Sequence, residues 1–286
     1  MRDPSSDWII HDGEYCQAGV PILKAGNRGL RYGDGLFETL LVQNGRIRLS
    51  DSHFDRLFAG LRLLKFEIPP SFTRGALYNQ VIQLCETNGG SALSRVRLTV
   101  FRADGTLFDA RDHLPHYVIE SAALDEHEVL FNEQGLRIGI YPDGRKARDP
   151  LANLKSGNFL PYVLAAIHAR EHLWDDCLVL NDHRRIADSC IANVFYTRGT
   201  TVYTPPLTEG CVAGIMRRHL IDRLPGWGFS VREQLVTPED LRNAEGIFLT
   251  NALKTIRWVG EFQGKILQPG LARELHAMIH QELDLK

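Results

Sequence analysis

The chain has 286 residues, 44% hydrophobic and 24% charged, which suits a protein of one large or two modest folded domains. A formal charge of -2 gives no electrostatic footprint for nucleic acid or an acidic membrane surface. No apolar run approaches the roughly 20 residues of a bilayer span, and the five scattered cysteines form neither a disulfide framework nor a CxxC metal pattern.

The N-terminal stretch MRDPSSDWIIHDGEY is polar and mixed in charge, unlike a secretion leader; the scattered cysteines make a reducing cytoplasm the expected location. Further on, LFETLLVQNGRIRLS contains two extended runs around Asn44-Gly45, the pair favoured in a two-residue hairpin turn. In SDSHFDRLFAGLRLLKFEI, Phe54, Leu57, Phe58, Leu61 and Leu64 recur at helical spacing. Ser52, with Asp55 three residues later, resembles a helix start, and Pro69-Pro70 reads as the stop. The run SRVRLTVFR alternates Val96, Leu98 and Val100 with Arg95, Arg97 and Thr99, the pattern of a half-buried strand whose partner is PHYVIESAAL.

An acidic stretch over 122–134 reads as a linker between a smaller N-terminal domain, 1–121, and a larger domain, 135–286. Strands are expected there at LRIGIY, CLVLN, ANVFYT, TVYT and GIFLT, with helices at 158–172, 213–224 and LARELHAMIHQEL. Helices and strands do not alternate regularly, which disfavours a Rossmann-type sheet, and no GxGxxG or GxxxxGKS accompanies RYGDG.

Several residues have the chemistry of a site. Lys155, in LKSGNF, stands at the start of the helix expected over 158–172; alone it reads as a solvated lysine. The positive field of a helix N-terminus would nevertheless favour the neutral amine that a nucleophile needs. Gly210 and Gly214 precede the helix starting near Ile215, where small residues let backbone N–H groups approach an anion; the alternative is an ordinary glycine turn. Thr250-Asn251, at the end of GIFL, offers further donors or a turn. Arg56 is either a surface arginine or a bidentate partner for a phosphate. Asp188, if buried, needs a cation or strong hydrogen bonds.

Taken in order, RGLRYGDGLFETL, HFDRL, LKSGNFLPYVLA, DSCIANVFY, TPPLTEGCVAGIMRRHL and LTNAL resemble the class IV aminotransferase family over most of the chain, from about Arg28 to Trp258. The resemblance implies the α/β, two-domain fold type IV architecture of D-amino acid aminotransferase-like enzymes. It also implies pyridoxal 5'-phosphate in the cleft between the domains, a small-molecule amino substrate and a homodimer.

By the same resemblance Lys155 carries the cofactor and later moves the proton. Arg56, Gly214, Ile215, Met216 and Thr250 hold the phosphate, the three middle residues through their backbone. Asp188 faces the pyridine nitrogen where the family has glutamate, a departure of one methylene. Tyr32, Phe37 and Glu38 would line the substrate pocket.

The family divides mainly into branched-chain aminotransferases, D-amino acid aminotransferases and 4-amino-4-deoxychorismate lyases. GIMR at 214–217, NAL at 251–253 and SCIANVF resemble the lyase. Arg111 and His113 resemble the R-x-H carboxylate trap of the D-amino acid subgroup, but displaced. Arg102 is a competing candidate for a substrate carboxylate, and Asn251 for a pocket residue. A non-catalytic relative is the reading from another class, suggested by Asp188 alone.

Overall fold

A computed structural model describes residues 7–90 and 92–283; positions 1–6, on which part of the reading of the N-terminus rests, lie outside them. The chain divides into two compact units. One runs to Glu128 and takes in Lys155–Asn158; the other comprises Val129–Leu154 and the chain from Phe159 onward.

The first unit contains β1 (Trp8–His11), β2 (Glu14–Gln17), α1 (Arg28–Tyr32), β3 (Gly35–Gln43), β4 (Arg46–Ile47), α2 (Ser50–Leu63), α3 (Arg74–Thr87), β5 (Leu93–Phe101) and β6 (His116–Ala123). Among the described residues these strands form one antiparallel sheet in the order β2-β1-β6-β5-β3-β4. The expected hairpin is present: Asn44 and Gly45 both have positive φ, 49° and 72°, between Gln43 and its partner Arg46. Val96, Leu98 and Val100 are fully buried, as the alternation of β5 requires.

The helix expected over the Phe54–Leu64 pattern is α2, but its ends differ from expectation. Leu49, in the left-handed region, precedes the first turn, and Ser52 lies inside the helix. The helix finishes at Leu63, followed by Lys65 at φ 58°, before the proline pair is reached. The next helix, α3, is capped by Thr73, whose hydroxyl accepts the Ala76 N–H at 3.1 Å.

The second unit contains β7 (Leu136–Lys146), α4 (Leu160–Glu171), β8 (Asp176–Asn181), β9 (Ile186–Ser189), β10 (Asn193–Arg198), β11 (Thr201–Thr204), α5 (Ile215–Arg223), β12 (Ser230–Glu233), α6 (Pro238–Arg242), β13 (Gly246–Asn251), β14 (Thr255–Phe262), β15 (Lys265–Ile266) and α7 (Gly270–Glu282). Its mixed sheet runs β12-β11-β10-β13-β14-β7-β8-β9, with β15 beside β14. One core joins Ile138, Leu178, Val194, Leu249, Val259 and Phe262; a second packs Tyr162, Ala165 and Ala169 of α4 against Tyr141, Cys177 and Val179. All five cysteines are free, and no helix among the described residues is long and apolar enough to cross a membrane.

Two expectations for Lys155 need correction. It does not stand in the first turn of a helix, because α4 begins at Leu160 with proline in its first turn and Phe159 as N-cap. Nor does it group with the second unit. Phe37 N–H donates to the Lys155 carbonyl at 2.8 Å, Gly157 N–H donates to the Gly35 carbonyl at 3.0 Å, and Ser156 bridges to Leu36. These backbone bonds attach residues 155–158 to the start of β3.

Gly35 is essential at that attachment. A Cβ there would lie 2.3 Å from the Val100 carbonyl oxygen and 3.0 Å from the Phe101 Cα, both of them backbone atoms that cannot swing aside. Gly35→Ala is expected to destabilise the protein by about 1–3 kcal/mol. Chemical denaturation should show a lower midpoint, and an unchanged midpoint would mean that β3 and β5 separate freely.

Candidate active site

Two buried constellations hold most of the expected site residues, one in each unit. In the first unit, strand alternation sends Glu38 to one face of the sheet and Phe37 to the other. Glu38 is almost fully buried, at 2% exposure. On α2, His53 and Arg56 stand three residues apart and meet it together. Arg56 clamps the carboxylate with two donors, Nε to Oε1 at 2.8 Å and an Nη to Oε2 at 2.6 Å. His53 Nδ1 lies 2.7 Å from Oε2.

Burial alone would raise the Glu38 carboxyl, but Arg56 and His53 outweigh it and hold it down at about 2. An ionised carboxylate only accepts, so His53 donates through Nδ1–H. Burial lowers the His53 pKa, and the positive charges of Arg56 and Lys155 add to that against the pull of Glu38. Arg56 is therefore no loose surface arginine; its bidentate partner in this structure is a carboxylate.

The Lys155 Nζ lies 4.4 Å from the centroid of the Phe37 ring. The Arg97 guanidinium lies 3.9 Å from the same centroid. Arg97 is diagonal to Phe37 across the β3–β5 ladder and donates to Thr99 Oγ1 at 3.2 Å. Burial lowers its pKa. The alternation of β5 identified Arg97 only as an outward residue, and its approach to Phe37 needed the ladder register.

Arg102 is positioned differently from the substrate-binding role considered for it. It is buried, pairs with Asp34 at 3.0 Å, donates to the Leu64 carbonyl at 2.7 Å, lies 2.9 Å from His113 Nδ1 and covers the Phe66 ring at 4.2 Å. These bonds staple the end of β5 to the turn after α2. Arg111 is exposed on the loop between β5 and β6, and Tyr32 is exposed on α1.

In the second unit Asp188, on β9, is 2% exposed. Its Oδ2 accepts from Lys146 Nζ at 3.0 Å, Tyr162 Oη at 2.8 Å and Val212 N–H at 2.9 Å. Its Oδ1 accepts from Asn193 Nδ2 at 2.9 Å. Thus β7, α4, β10 and the turn before α5 each contribute a donor. Lys146 and Tyr162 were missed as site residues, although Tyr162 and Asn193 lie within motifs that carry the family resemblance. Burial, with the Asp188 charge nearby, raises the Tyr162 phenol well above its usual value and the Cys211 thiol to about 12. Neither is an anionic nucleophile at neutral pH.

The expected phosphate cradle adjoins this constellation. Gly214 is the N-cap of α5, and no side chain caps the helix. A Cβ at Gly214 would fall 1.8 Å from Asn193 Oδ1, so only glycine fits beside the residue that holds Asp188. Ile215 and Met216 are buried in the first turn, where backbone N–H groups lack intrahelical acceptors. Thr250, on β13, pairs with Asn193 in the ladder. Its Oγ1 is buried and has no hydrogen-bond partner among the described residues. An unpartnered buried hydroxyl, a helix start without a cap and an obligatory glycine together fit a phosphate group. Asn251 instead uses its Oδ1 to accept the Leu253 and Lys254 N–H groups at 3.0 and 2.8 Å, forming the turn after β13.

Residues 35–262 match the family described as Amino-transferase class IV. The chain belongs to that family, whose members are pyridoxal 5'-phosphate enzymes, and it is itself a PLP-dependent enzyme. It is 27% identical over 244 residues to the aminodeoxychorismate lyase of Vibrio harveyi, covering 83% of this chain and 85% of that protein. A putative branched-chain-amino-acid aminotransferase of Methanocaldococcus jannaschii is 28% identical over 260 residues, covering 91% and 89%. The crystal structure of 4-amino-4-deoxychorismate lyase from Pseudomonas aeruginosa superposes with a TM-score of 0.79 at 29% identity, covering 93% of this chain and 97% of that one. The two-sheet α/β architecture is that of fold type IV enzymes, as expected.

Three substitutions test the buried carboxylates. Glu38 is held at about 2 against 4.5 unfolded, so its contribution of about 3 kcal/mol is complete above pH 4.5 and is lost as pH falls towards 2. Glu38→Gln is expected to lower stability at pH 7 and flatten the decline below pH 4.5; equal acid limbs in the two proteins would refute the pairing. Lys146→Met should cost roughly 3 kcal/mol by stranding Asp188, and adding Asp188→Asn should recover part of that loss. Strictly additive losses in a double-mutant cycle would show that the two residues do not interact.

Proposed function

We propose that this enzyme is a 4-amino-4-deoxychorismate lyase, converting that substrate to p-aminobenzoate and pyruvate. The observation carrying this reading is the lyase-like pair of segments at the start of α5, Gly214–Arg217 (GIMR), and at the end of β13, Asn251–Leu253 (NAL). The lyases of Vibrio harveyi and Pseudomonas aeruginosa, 27% and 29% identical over most of their lengths, support it.

The residues that would hold the cofactor are Lys155, Arg56, Asp188, Thr250 and the backbone of Gly214, Ile215 and Met216. When bound, pyridoxal 5'-phosphate supplies an electrophilic carbon for the substrate amine and an electron-accepting ring. Lys155 Nζ is the general base that takes the proton from the substrate carbon bearing the amine. Departure of enolpyruvate then leaves the substrate ring aromatic, and a proton completes pyruvate. Asp188, oriented by Lys146, Tyr162, Asn193 and Val212, is the fixed negative charge for the ring nitrogen. The four donors leave the carboxylate little freedom to rotate. Phe37 stands beside the amine and Arg97 lies over the Phe37 ring, which makes Arg97 a candidate partner for a substrate carboxylate.

The second reading is a class IV aminotransferase acting on branched-chain L- or D-amino acids. The 28% identity to the Methanocaldococcus jannaschii protein over 91% of this chain favours it. A homodimer in the cytoplasm is part of the proposal in either case.

Purified, PLP-loaded protein given 4-amino-4-deoxychorismate should release p-aminobenzoate and pyruvate in equal amounts. Lys155→Ala should lose at least about 10²-fold in turnover together with the visible absorbance of lysine-bound cofactor. Absence of both products, with that absorbance intact and amino-group transfer from an amino acid panel, would replace the lyase by an aminotransferase. Retention of absorbance and turnover in Lys155→Ala would overturn the site itself.

A further inference from the structure

The last turn of α4 reads His168-Ala169-Arg170-Glu171-His172, and helical spacing brings three chelating side chains to one patch. His168, Glu171 and His172 each offer one ligand atom, and these atoms all lie within 4.8 Å of one another. His168 is half-buried while Glu171 and His172 are exposed, so the patch opens to solvent. None of the three takes part in the constellations around Lys155 or Asp188.

The geometry favours coordination over a chance cluster. His172 Nδ1 lies 2.8 Å from the His168 carbonyl oxygen, which can only accept. Nδ1–H is therefore the donor, which leaves Nε2 as the ligand nitrogen, as in histidines oriented for a metal by a backbone carbonyl. The two imidazoles are 4.0 Å apart, centroid to centroid. Trp174 lies 5.6 Å from the first ring and 4.9 Å from the second, and Tyr141 lies 5.5 Å from the first. Trp174 is itself seated on β7, where a Cβ at Gly139 would fall 2.0 Å from the indole. The rings are thus held in place before any ion arrives. His172 is also the C-cap of α4, where the helix dipole favours positive charge. His276 and His280 of α7 stack in a similar way at 4.0 Å, but no third ligand joins them among the described residues.

We propose that His168, Glu171 and His172 form a surface site for a divalent transition metal of the Zn²⁺, Ni²⁺ or Cu²⁺ class. Two imidazole nitrogens and one carboxylate oxygen suit these ions, whereas Ca²⁺ and Mg²⁺ prefer all-oxygen shells. Three protein ligands leave at least one position for water.

The test is titration of untagged, PLP-loaded protein with Zn²⁺ against a chromophoric chelator, with Cu²⁺ electron paramagnetic resonance as the second readout. One equivalent per chain is expected, with nitrogen hyperfine structure from two imidazoles. His168→Ala and His172→Ala should each weaken binding by about tenfold or more, and Glu171→Gln by less. Zn²⁺ should raise the melting temperature of the native protein and leave that of the folded double variant His168→Ala/His172→Ala unchanged. Unaltered Zn²⁺ affinity in the double variant, loss of binding on His280→Ala, or no binding at micromolar Zn²⁺ would each overturn the assignment.

Discussion

A carboxylate removed from water must be met by cations or hydrogen-bond donors, and two such carboxylates organise this molecule. Glu38 and Asp188 are each 2% exposed. Glu38 fixes the rotation of α2, because His53 and Arg56 must both reach it. The same rotation buries Phe54, Leu57, Phe58 and Leu61, so polar and apolar requirements agree on one orientation. Asp188 fixes more. Its four donors come from β7, α4, β10 and the turn before α5, elements far apart in the chain. Lys146 sits beyond the register irregularity of the β7–β8 ladder, which carries its side chain to the carboxylate.

Much of this was legible where the signal is local. The alternation of β5, the Asn44-Gly45 turn and the helical spacing in α2 and α7 each need only a few neighbouring residues. The parts that were missed depend on contacts distant in sequence. Lys155 looked like the start of α4 because Leu160 is close in the chain, yet its backbone belongs with Gly35 and Phe37, more than a hundred residues earlier. Arg97 and Arg102 showed the reverse difficulty. Both are arginines of one strand region, and only the ladder register and the loop after α2 assign the first to Phe37 and the second to Asp34.

Helix ends were legible only where a side chain makes the cap. Thr73 carries the usual cap chemistry, but the helix after it lacks the dense apolar stripe of α2 and was not anticipated. The start of α2 uses Leu49 in a left-handed conformation with no side-chain cap, a choice set by the short β4 and its turn. A Ser-x-x-Asp pattern three residues further on then resembles a cap without acting as one. The same distinction holds at α5, where no side chain caps the helix and Gly214 is dictated by Asn193 packed against it.

The aspartate at 188, where the family resemblance expects glutamate, is best understood through those contacts. Oδ2 already accepts three donors and Oδ1 one, so Oδ1 is the oxygen with capacity for a further partner. A side chain longer by one methylene would carry both oxygens away from Lys146, Tyr162 and Val212. The shorter residue is thus matched to its anchors, which hold one oxygen and leave the other available. That arrangement argues against a decayed site. A buried ammonium and phenol gathered on a carboxylate confer little net stability, since apolar residues of similar volume would pack there at no loss. Such a cluster is accounted for by holding the carboxylate in one orientation, which is what the charge proposed for Asp188 at the cofactor ring requires.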